Sequence, residues 1–262
     1  MVRRWIAVLL SVAASVAAPA QEVLQTVERE GVVRVVVSRA GIFDVSVKGY
    51  SGSSVHVEVR SSSPEDRIVE SLTGGELTIS PERGDRVRSI GSRAPELLLR
   101  VPEATALSIE TGTGGILVET VAGAKSLGTA SGGIVVRSSR GSIEARSSTG
   151  SQRYDYVTGD IRAESATGAI ELTNVEGRAD LQSATGRLWG RNVRVTADSR
   201  LRTSTGRIEI DFANPLEDFT FVLQSVTGLI DVGGTEARGK VQRGSGPLRI
   251  TGQTTTGRQT YR

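Results

Sequence analysis

The sequence has no cysteine, one histidine and one methionine in 262 residues. Disulfide scaffolds, zinc sites built on thiolate or imidazole, and cysteine nucleophiles are therefore excluded. The lone His56 also disfavours a Ser-His-Asp triad. Aromatic residues make up only 4% of the chain, fewer than a mixed α/β core usually carries. No cofactor is predicted.

An excess of charge of one sign is also absent. The formal net charge is +3, and without Arg3 and Arg4 of the N-terminal segment the chain has 30 basic and 29 acidic residues. This balance gives no argument for a nucleic-acid partner. The glycine-rich strings lack the strand-to-helix context and the Lys-Ser/Thr pair of a phosphate-binding loop.

Residues 1–20, MVRRWIAVLLSVAASVAAPA, have the layout of a secretory signal peptide. Two arginines precede a short apolar run, and Ala18-Pro19-Ala20 supplies a small-residue cleavage site before Gln21. The run is short for a membrane span, although an uncleaved anchor is the alternative, and no later stretch is apolar enough to span. We expect export to the periplasm, the medium or the cell surface, with no membrane span after cleavage.

Glycine recurs every ninth residue through the middle of the chain. The series is Gly114, Gly123, Gly132, Gly141, Gly150, Gly159, Gly168, Gly177 and Gly186. With glycine as position zero, and with a further unit from Thr105, positions two and four are mostly apolar and position three is mostly polar. This alternation predicts a half-buried strand in each unit. Position six is Ser, Thr or Asn in nine units of ten, which predicts a bend.

Alternate turns differ, so the full period is eighteen residues. In one series Ser or Thr always precedes the glycine, which predicts structural turns at Gly114, Gly132, Gly150, Gly168, Gly186, Gly206, Gly228 and Gly246. Glycine there can take φ > 0 without a steric penalty. The other series is looser, and each insertion after Gly186 precedes one of its turns. Each coil is therefore expected to have one tight edge and one edge that tolerates loops.

These features predict an all-β fold, specifically a single-stranded β-solenoid of the β-helix type with two strands per eighteen-residue coil. The solenoid is predicted to occupy residues 105–262. Isoleucines eighteen residues apart, such as Ile116 and Ile134, then lie directly over one another. Residues 21–104 are predicted to form an irregular β-rich segment that covers the open end of the solenoid. A separate domain is the alternative.

Three sets of motifs carry a family resemblance. They are GIFDVSVKGYSGSSVHVEV at 41–59, LLLRVP at 97–102, and the recurring strings TGTGGI, TASGGI, SATGAI, SATGRL and TSTGRI. In this order and number they resemble a family of exported bacterial proteins described as putative adhesins with β-strand repeats, a domain of unknown function. The resemblance covers nearly all of the chain after residue 20. It implies a β-helix-like fold outside the cytoplasm and adds little about a ligand.

Equivalent positions of successive coils stack in a solenoid, so functional groups would form ladders. The outward positions alternate in charge, which favours a solvated face of cross-strand ion pairs. A carbohydrate site is the alternative, because an outward tryptophan would stand near carboxylates about 5 Å apart, a spacing that suits a retaining glycosidase. Nothing marks one of these carboxylates as desolvated, as acid/base catalysis requires. The candidate surface-binding residues are Trp189, Arg191, Glu209, Asp211 and Asp231.

Three further possibilities concern the repeat and the tryptophan. Calcium-binding β-rolls also repeat every nine residues, but they need paired glycines and an aspartate in each unit. Here each unit carries one glycine as a rule, and aspartates occur singly, so no metal is predicted. An ice-binding threonine array needs a charge-free face, which the Arg and Glu ladders contradict. Trp189 packed beneath the loop at 213–218 is the ordinary alternative to a binding site.

The sequence therefore favours a non-enzymatic, exported β-solenoid that serves as a scaffold, an adhesin-like protein or a protein-interaction module of the bacterial envelope. Its expected partner is an envelope protein, a polysaccharide or a second copy of the chain stacked end to end. The second hypothesis is a carbohydrate-binding or carbohydrate-active β-helix with its site around Trp189.

Overall fold

The computed structural model describes residues 21–82 and 93–262. Over these residues the chain forms 23 strands of one continuous sheet and one short 3-10 turn at Leu216–Asp218, with no α-helix. The prediction of an all-β fold is confirmed. The predicted signal peptide, residues 1–20, lies outside the described residues.

The strands form three groups along the chain. The N-terminal group is β1 (Glu22–Glu30), β2 (Arg34–Val37), β3 (Asp44–Tyr50), β4 (Ser54–Ser61), β5 (Arg67–Thr73), β6 (Glu76–Glu82) and β7 (Glu96–Pro102). The repeat group is β8 (Ala106–Thr111), β9 (Ile116–Glu119), β10 (Lys125–Thr129), β11 (Ile134–Arg140), β12 (Ile143–Ser147), β13 (Gln152–Thr158), β14 (Ile161–Ser165), β15 (Ile170–Gly177), β16 (Ala179–Ser183), β17 (Leu188–Val195), β18 (Ser199–Thr205) and β19 (Ile208–Phe212). The C-terminal group is β20 (Phe219–Val232), β21 (Thr235–Arg243), β22 (Leu248–Thr256) and β23 (Gln259–Tyr261).

The repeat group forms two stacks of parallel strands. The even-numbered strands β8 to β18 pair in order and form the surface that we call face one, and the odd-numbered strands β9 to β19 form face two. Ile134 lies beside Ile116 on face two, and Ile161 lies beside Ile143 on face one. The eighteen-residue period of the glycines is therefore the register of the regular part of both stacks.

On face two the chain bends at one residue per coil. The bend residue has a left-handed backbone with φ between 47° and 59° in five successive coils, at Thr120, Ser138, Tyr156, Asn174 and Asn192. These residues occupy position six of alternate units, where a bend was expected. Asparagine tolerates this conformation better than most residues, and Asn192 Nδ2 donates to Asn174 Oδ1 at 2.7 Å. The bends at Asn174 and Asn192 are thus joined to each other.

The inward side chains of positions two and four form one core between the faces. Ile116, Val118, Ile134 and Val136 are each no more than 2% exposed. Burial of apolar surface contributes roughly 25 cal/mol per Å², and successive coils repeat the same contact. The long aliphatic stack is therefore the main source of stability.

Two coils place polar side chains inside this core as matched pairs. Gln152 and Tyr154, and likewise Gln259 and Tyr261, are 0% exposed. In each pair the tyrosine Oη donates to the glutamine Oε1, at 2.7 and 2.8 Å. Burial raises the pKa of both phenols, so they remain protonated hydrogen-bond donors.

Sequential winding fails at the N-terminal end. β2 and β3 pair in parallel with β8 and β9, and β6 and β7 add to the other side of β2 and β3. The strands β2 and β3 therefore lie directly against the first repeat coil, and the later strands β6 and β7 lie outside them. β5 and β4 add antiparallel to β6 and β7, and β1 adds antiparallel to β4.

The C-terminal end is interleaved in the same way. β22 lies between β18 and β20, and β23 lies between β19 and the second half of β20. β20 crosses from face one to face two, and β21 pairs antiparallel along it. A single-stranded solenoid over residues 105–262 in which every coil follows the previous one in sequence is thus wrong at the C-terminal end. The reason is that a hairpin supplies the outermost strand, and the chain-terminal coil fills the space inside it.

Candidate functional site

The Ser/Thr-Gly turns form one corner of the stack, which we call the tight corner. A Cβ atom on Gly132 or Gly150 would overlap the carbonyl of the glycine in the preceding coil, and Gly168, Gly186 and Gly206 repeat the contact. Gly114 makes the equivalent approach to Phe43. None of these glycines has a positive φ. The expectation of φ > 0 is therefore wrong at these glycines, and glycine is needed there because the backbones of successive coils approach closely.

The last two turns of the tight corner differ from the predicted set. Gly257 stacks on Gly206, and Gly228 stacks on Gly257. Gly246 lies beside the backbone of Phe219 instead, so its inclusion in the corner is wrong. The cause is β21, which is a hairpin strand and not half of a coil, and therefore shifts the phase of every later unit.

Buried hydroxyl groups line the inside of the tight corner. Gly132 N donates to Thr129 Oγ1 at 3.0 Å, and Gly168 N donates to Ser165 Oγ at 2.8 Å. Thr129 and Ser165 are both 7% exposed. These hydroxyls satisfy backbone groups of the turn that would otherwise be buried without a partner.

Trp189 faces outward on face two and is half-buried. Its neighbours in the adjoining strands are Glu171 and Glu209. The guanidinium carbons of Arg187 and Arg191 lie 5.6 and 5.7 Å from its ring, within the range of cation–π attraction. Arg187 also forms an ion pair with Glu209. We call Trp189, Arg187, Arg191 and Glu209 the Trp189 cluster.

The remaining candidate carboxylates do not form a pair with Glu209. Thr260 of β23 stands between Glu209 and Asp231 in the ladder. Asp231 is 9% exposed, accepts a hydrogen bond from Gly234 N at 2.9 Å, and lies 3.5 Å from Arg258. The expectation that these carboxylates lie one coil apart is therefore wrong, because the insertion of β23 separates them.

Asp211 lies two residues beyond Glu209 on β19 and is half-buried. In the part of the chain that the structure describes, it forms no ion pair. Trp189, Arg191 and Glu209 are thus brought together, whereas Asp231 is not. The cluster offers an aromatic ring, two cations and a paired carboxylate, which are groups for binding an anion or a polar polymer and not a separated acid and base.

Face one carries a ladder of side chains that alternate in charge. Glu144, Arg162, Asp180 and Arg200 follow one another in register across successive strands. Beside them, Glu164 lies 3.0 Å from Arg162 and 3.4 Å from Arg146. The hydrogen bond from Arg162, with the charge of Arg146, lowers the pKa of the Glu164 carboxyl. Exposed pairs of this kind each contribute a few tenths of a kcal/mol, so the ladder is a matched polar surface more than a source of stability.

A shallow depression of about 550 Å³ lies on face one where the first coils carry small side chains such as Ala106 and Ser126. Lys125 lines it from the inner side of the sheet and is 3% exposed. Its Nζ donates to the carbonyls of Gly123 and Arg140, at 2.7 and 2.5 Å. Burial lowers the pKa of Lys125 to about 8. Sequence reasoning missed this residue, although a lysine at inward position two was a visible signal.

Residues 21–82 and 93–262 contain neither a metal-binding cluster nor a membrane-spanning helix. No group of three or more His, Asp or Glu in these ranges can hold a metal ion. No helix within them has the length and apolar character to cross a membrane.

No family model and no curated protein matches the chain. Solved structures that do match are described as putative adhesins or as a putative cell adhesion protein. A putative adhesin from Bacteroides fragilis is 10% identical, with 94% of this chain and 100% of that chain covered and a TM-score of 0.49. A putative cell adhesion protein from Clostridium sporogenes is 8% identical, with 90% and 98% covered and a TM-score of 0.33. A putative adhesin from Parabacteroides distasonis is 10% identical, with 90% and 96% covered and a TM-score of 0.34.

Proposed function

We propose that the chain is an exported, non-enzymatic β-solenoid that serves as an adhesin-like scaffold or interaction module of the bacterial envelope. The observation that carries the proposal is the ladder of face one, in which Glu144, Arg162 and Asp180 alternate in charge over successive strands. The charges of this surface are regularly spaced, because the strands that carry them pair in register. The surface suits a partner whose own charges repeat, because complementary spacing gives specificity more than raw affinity.

The face-one proposal is tested by reversing its cations. Arg146→Glu with Arg162→Glu changes face one, and Arg137→Glu with Arg153→Glu makes the same change on face two as the matched control. Retention of the purified protein on envelope polysaccharide and envelope protein is measured over a series of salt concentrations. We expect retention that weakens with salt and falls about tenfold in the face-one variant only. Equal retention of both variants would contradict the proposal.

Export is tested on the protein recovered from fractionated cells. An N-terminus at Gln21 in the envelope or external fraction is the expected result, since Ala18-Pro19-Ala20 supplies the cleavage site. Recovery from the cytosol with Met1 or Val2 at the N-terminus would contradict it.

A second candidate function is the binding of an anionic carbohydrate at the Trp189 cluster. The observation in its favour is the outward indole with Arg187 and Arg191 beside it. A sugar ring can stack on an aromatic face, and guanidinium groups favour carboxylate or phosphate substituents. A neutral sugar would have to compete with both arginines for the ring, so an acidic polymer fits better.

The second candidate is tested with panels of acidic and neutral polysaccharides. Trp189→Ala should abolish binding to the acidic polymers, whereas Tyr156→Ala should not, although Tyr156 is also an exposed aromatic residue of face two at 65% exposure. Binding that survives in Trp189→Ala would contradict the site. Polymer cleavage by the protein would overturn the non-enzymatic assignment.

A further inference from the structure

The exposed apolar side chains of the described residues are concentrated at the two ends of the stack. Seven large apolar side chains are exposed, and six of them lie on the last two strands at either end or in a turn beside them. Those at the N-terminal end are Val23, Val33, Val69 and Leu72, and those at the C-terminal end are Val222 and Val226. The exception is Tyr156 on face two. Exposed apolar surface at the ends and charge on the faces is the distribution expected if the ends make contacts.

The C-terminal end is closed by one strand, β21, which pairs with β20 along one edge and with no other strand among the described residues. It is nine residues long and mostly exposed. An open edge of this length is a template for another strand. This strand carries three cationic side chains, Arg238, Lys240 and Arg243, and one carboxylate, Glu236.

The N-terminal end is closed by β1 and β5, each of which also pairs along one edge only within the described ranges. Arg29 forms an ion pair with Glu70, and Ile68 N donates to Gln25 Oε1 at 3.0 Å, so the two strands form one continuous rim. This rim carries four carboxylates and only two cations. They are Glu22, Glu28, Glu30 and Glu70 against Arg29 and Arg67.

We propose that copies of this chain assemble head to tail, with the basic edge of β21 in one copy added to the acidic rim of β1 and β5 in the next. The edge charges oppose pairing with a neutral strand but attract an acidic one, which is how such charges select a partner. An antiparallel pairing of two β21 strands about Gly239 would instead set Arg238 opposite Lys240, two like charges. A head-to-tail contact of unlike surfaces repeats without closing and gives a filament.

The two end segments of the sequence show the same difference in charge. Residues 187–262 contain twelve basic and seven acidic residues, whereas residues 21–104 contain eleven basic and thirteen acidic residues. The assembly uses the ends and leaves both faces free. It is therefore independent of the envelope partner proposed above, and either proposal can fail without the other.

The proposal is tested by sedimentation velocity of the purified full chain over a range of concentrations. We expect species larger than a dimer that grow with concentration and dissociate as salt is raised. Arg238→Glu with Lys240→Glu makes both ends acidic, and Glu28→Lys with Glu30→Lys makes both ends basic. Each variant alone should be monomeric. A mixture of the two should assemble again, because each then offers the charge that the other needs.

Arg153→Glu with Arg162→Glu is the matched control on the faces, and it should assemble like the unchanged protein. If a reversal variant does not fold, Lys240→Gln and Glu28→Gln replace it, and each should weaken assembly about tenfold. A monomer at millimolar concentration, an association that stops at the dimer, or a mixture of folded reversal variants that stays monomeric would overturn the proposal. Assembly unaffected by either end variant would also overturn it.

Discussion

Gly257 stacks directly on Gly206, although Gly228 is the next Ser/Thr-Gly turn after Gly206 in the sequence. Gly228 in turn stacks on Gly257, so the last coil of the chain is the second from the end in space. β22 and β23 are consequently paired on both sides, by β18 and β19 towards the repeats and by β20 towards the end. The C-terminal strands are interior elements of the sheet.

Deletion of residues 248–262 should disrupt the whole C-terminal end and not merely shorten the stack by one coil. In a sequential solenoid, loss of the last coil removes one interface. Here it removes both parallel neighbours of β20, together with the buried Ile250 and Tyr261. Limited proteolysis should then cut within 219–243, and urea unfolding followed by circular dichroism should lose its single transition.

Deletion of residues 22–30 is the comparison for this variant. It removes β1, a strand paired on one side only, and should leave one cooperative transition at a lower urea concentration. Similar behaviour of the two deletions would contradict the interleaved order of the coils.

Gly150→Ala should lower the free energy of unfolding by about 3 kcal/mol, because the new methyl group forces two backbones apart. The Cβ would overlap the carbonyl of Gly132. Gly150 does not have a positive φ, so the loss comes from this overlap and not from backbone strain. Gly234→Ala is the matched control, since Gly234 has φ 80° and open space around it. Backbone strain alone should lower its stability by about 1 kcal/mol. Urea midpoints measure both, and an equal or smaller loss at Gly150 would exclude close backbone approach as the reason for the glycine column.

Lys125→Met removes a buried charge but also the hydrogen bonds to the carbonyls of Gly123 and Arg140. Its stability relative to the unchanged protein should be highest at neutral pH and lower at pH 10.5. Burial lowers the pKa of Lys125 from 10.5 to about 8, so between these pH values the unfolded chain binds more protons than the folded chain. Stability of the unchanged protein therefore rises from pH 8 towards 10.5 and is lowest below pH 8. The relative stability of the methionine variant should fall over the same interval.

The exposed Lys48 supplies the control for this measurement. Lys48→Met should give no comparable pH-dependent difference in thermal midpoint. A relative stability of Lys125→Met that is constant from pH 7 to 10.5 would show that packing, and not the charge, is responsible for the difference.

Local patterns in the sequence predicted what depends on local geometry. The neighbours Ile116 and Ile134 follow from a period that both strand length and turn length must satisfy, and the outward direction of Trp189 follows from alternation along one strand. The order of the coils does not follow, because Thr227-Gly228 and Thr256-Gly257 carry the same turn chemistry and fit either place in the corner. The neighbours of Glu209 were mispredicted for that reason, since Thr260 reaches the ladder only when β23 is inserted.

Tyr156→Asn should raise the free energy of unfolding by about 1 kcal/mol. Tyr156 has a φ of 55°, a left-handed conformation that asparagine adopts at lower cost than tyrosine. Tyr156 is 65% exposed, so little buried surface is lost. An asparagine there would also extend the amide ladder of Asn174 and Asn192 by one coil.

Val222→Asn tests whether the gain comes from the backbone. Val222 is 38% exposed and lies in the strand β20, where a β-branched residue is favoured. The same asparagine should therefore lower the thermal midpoint at Val222 and raise it at Tyr156. A fall at both positions would mean that the coils hold the bend at Tyr156 without strain, and that its tyrosine contributes contacts worth more than the left-handed conformation costs.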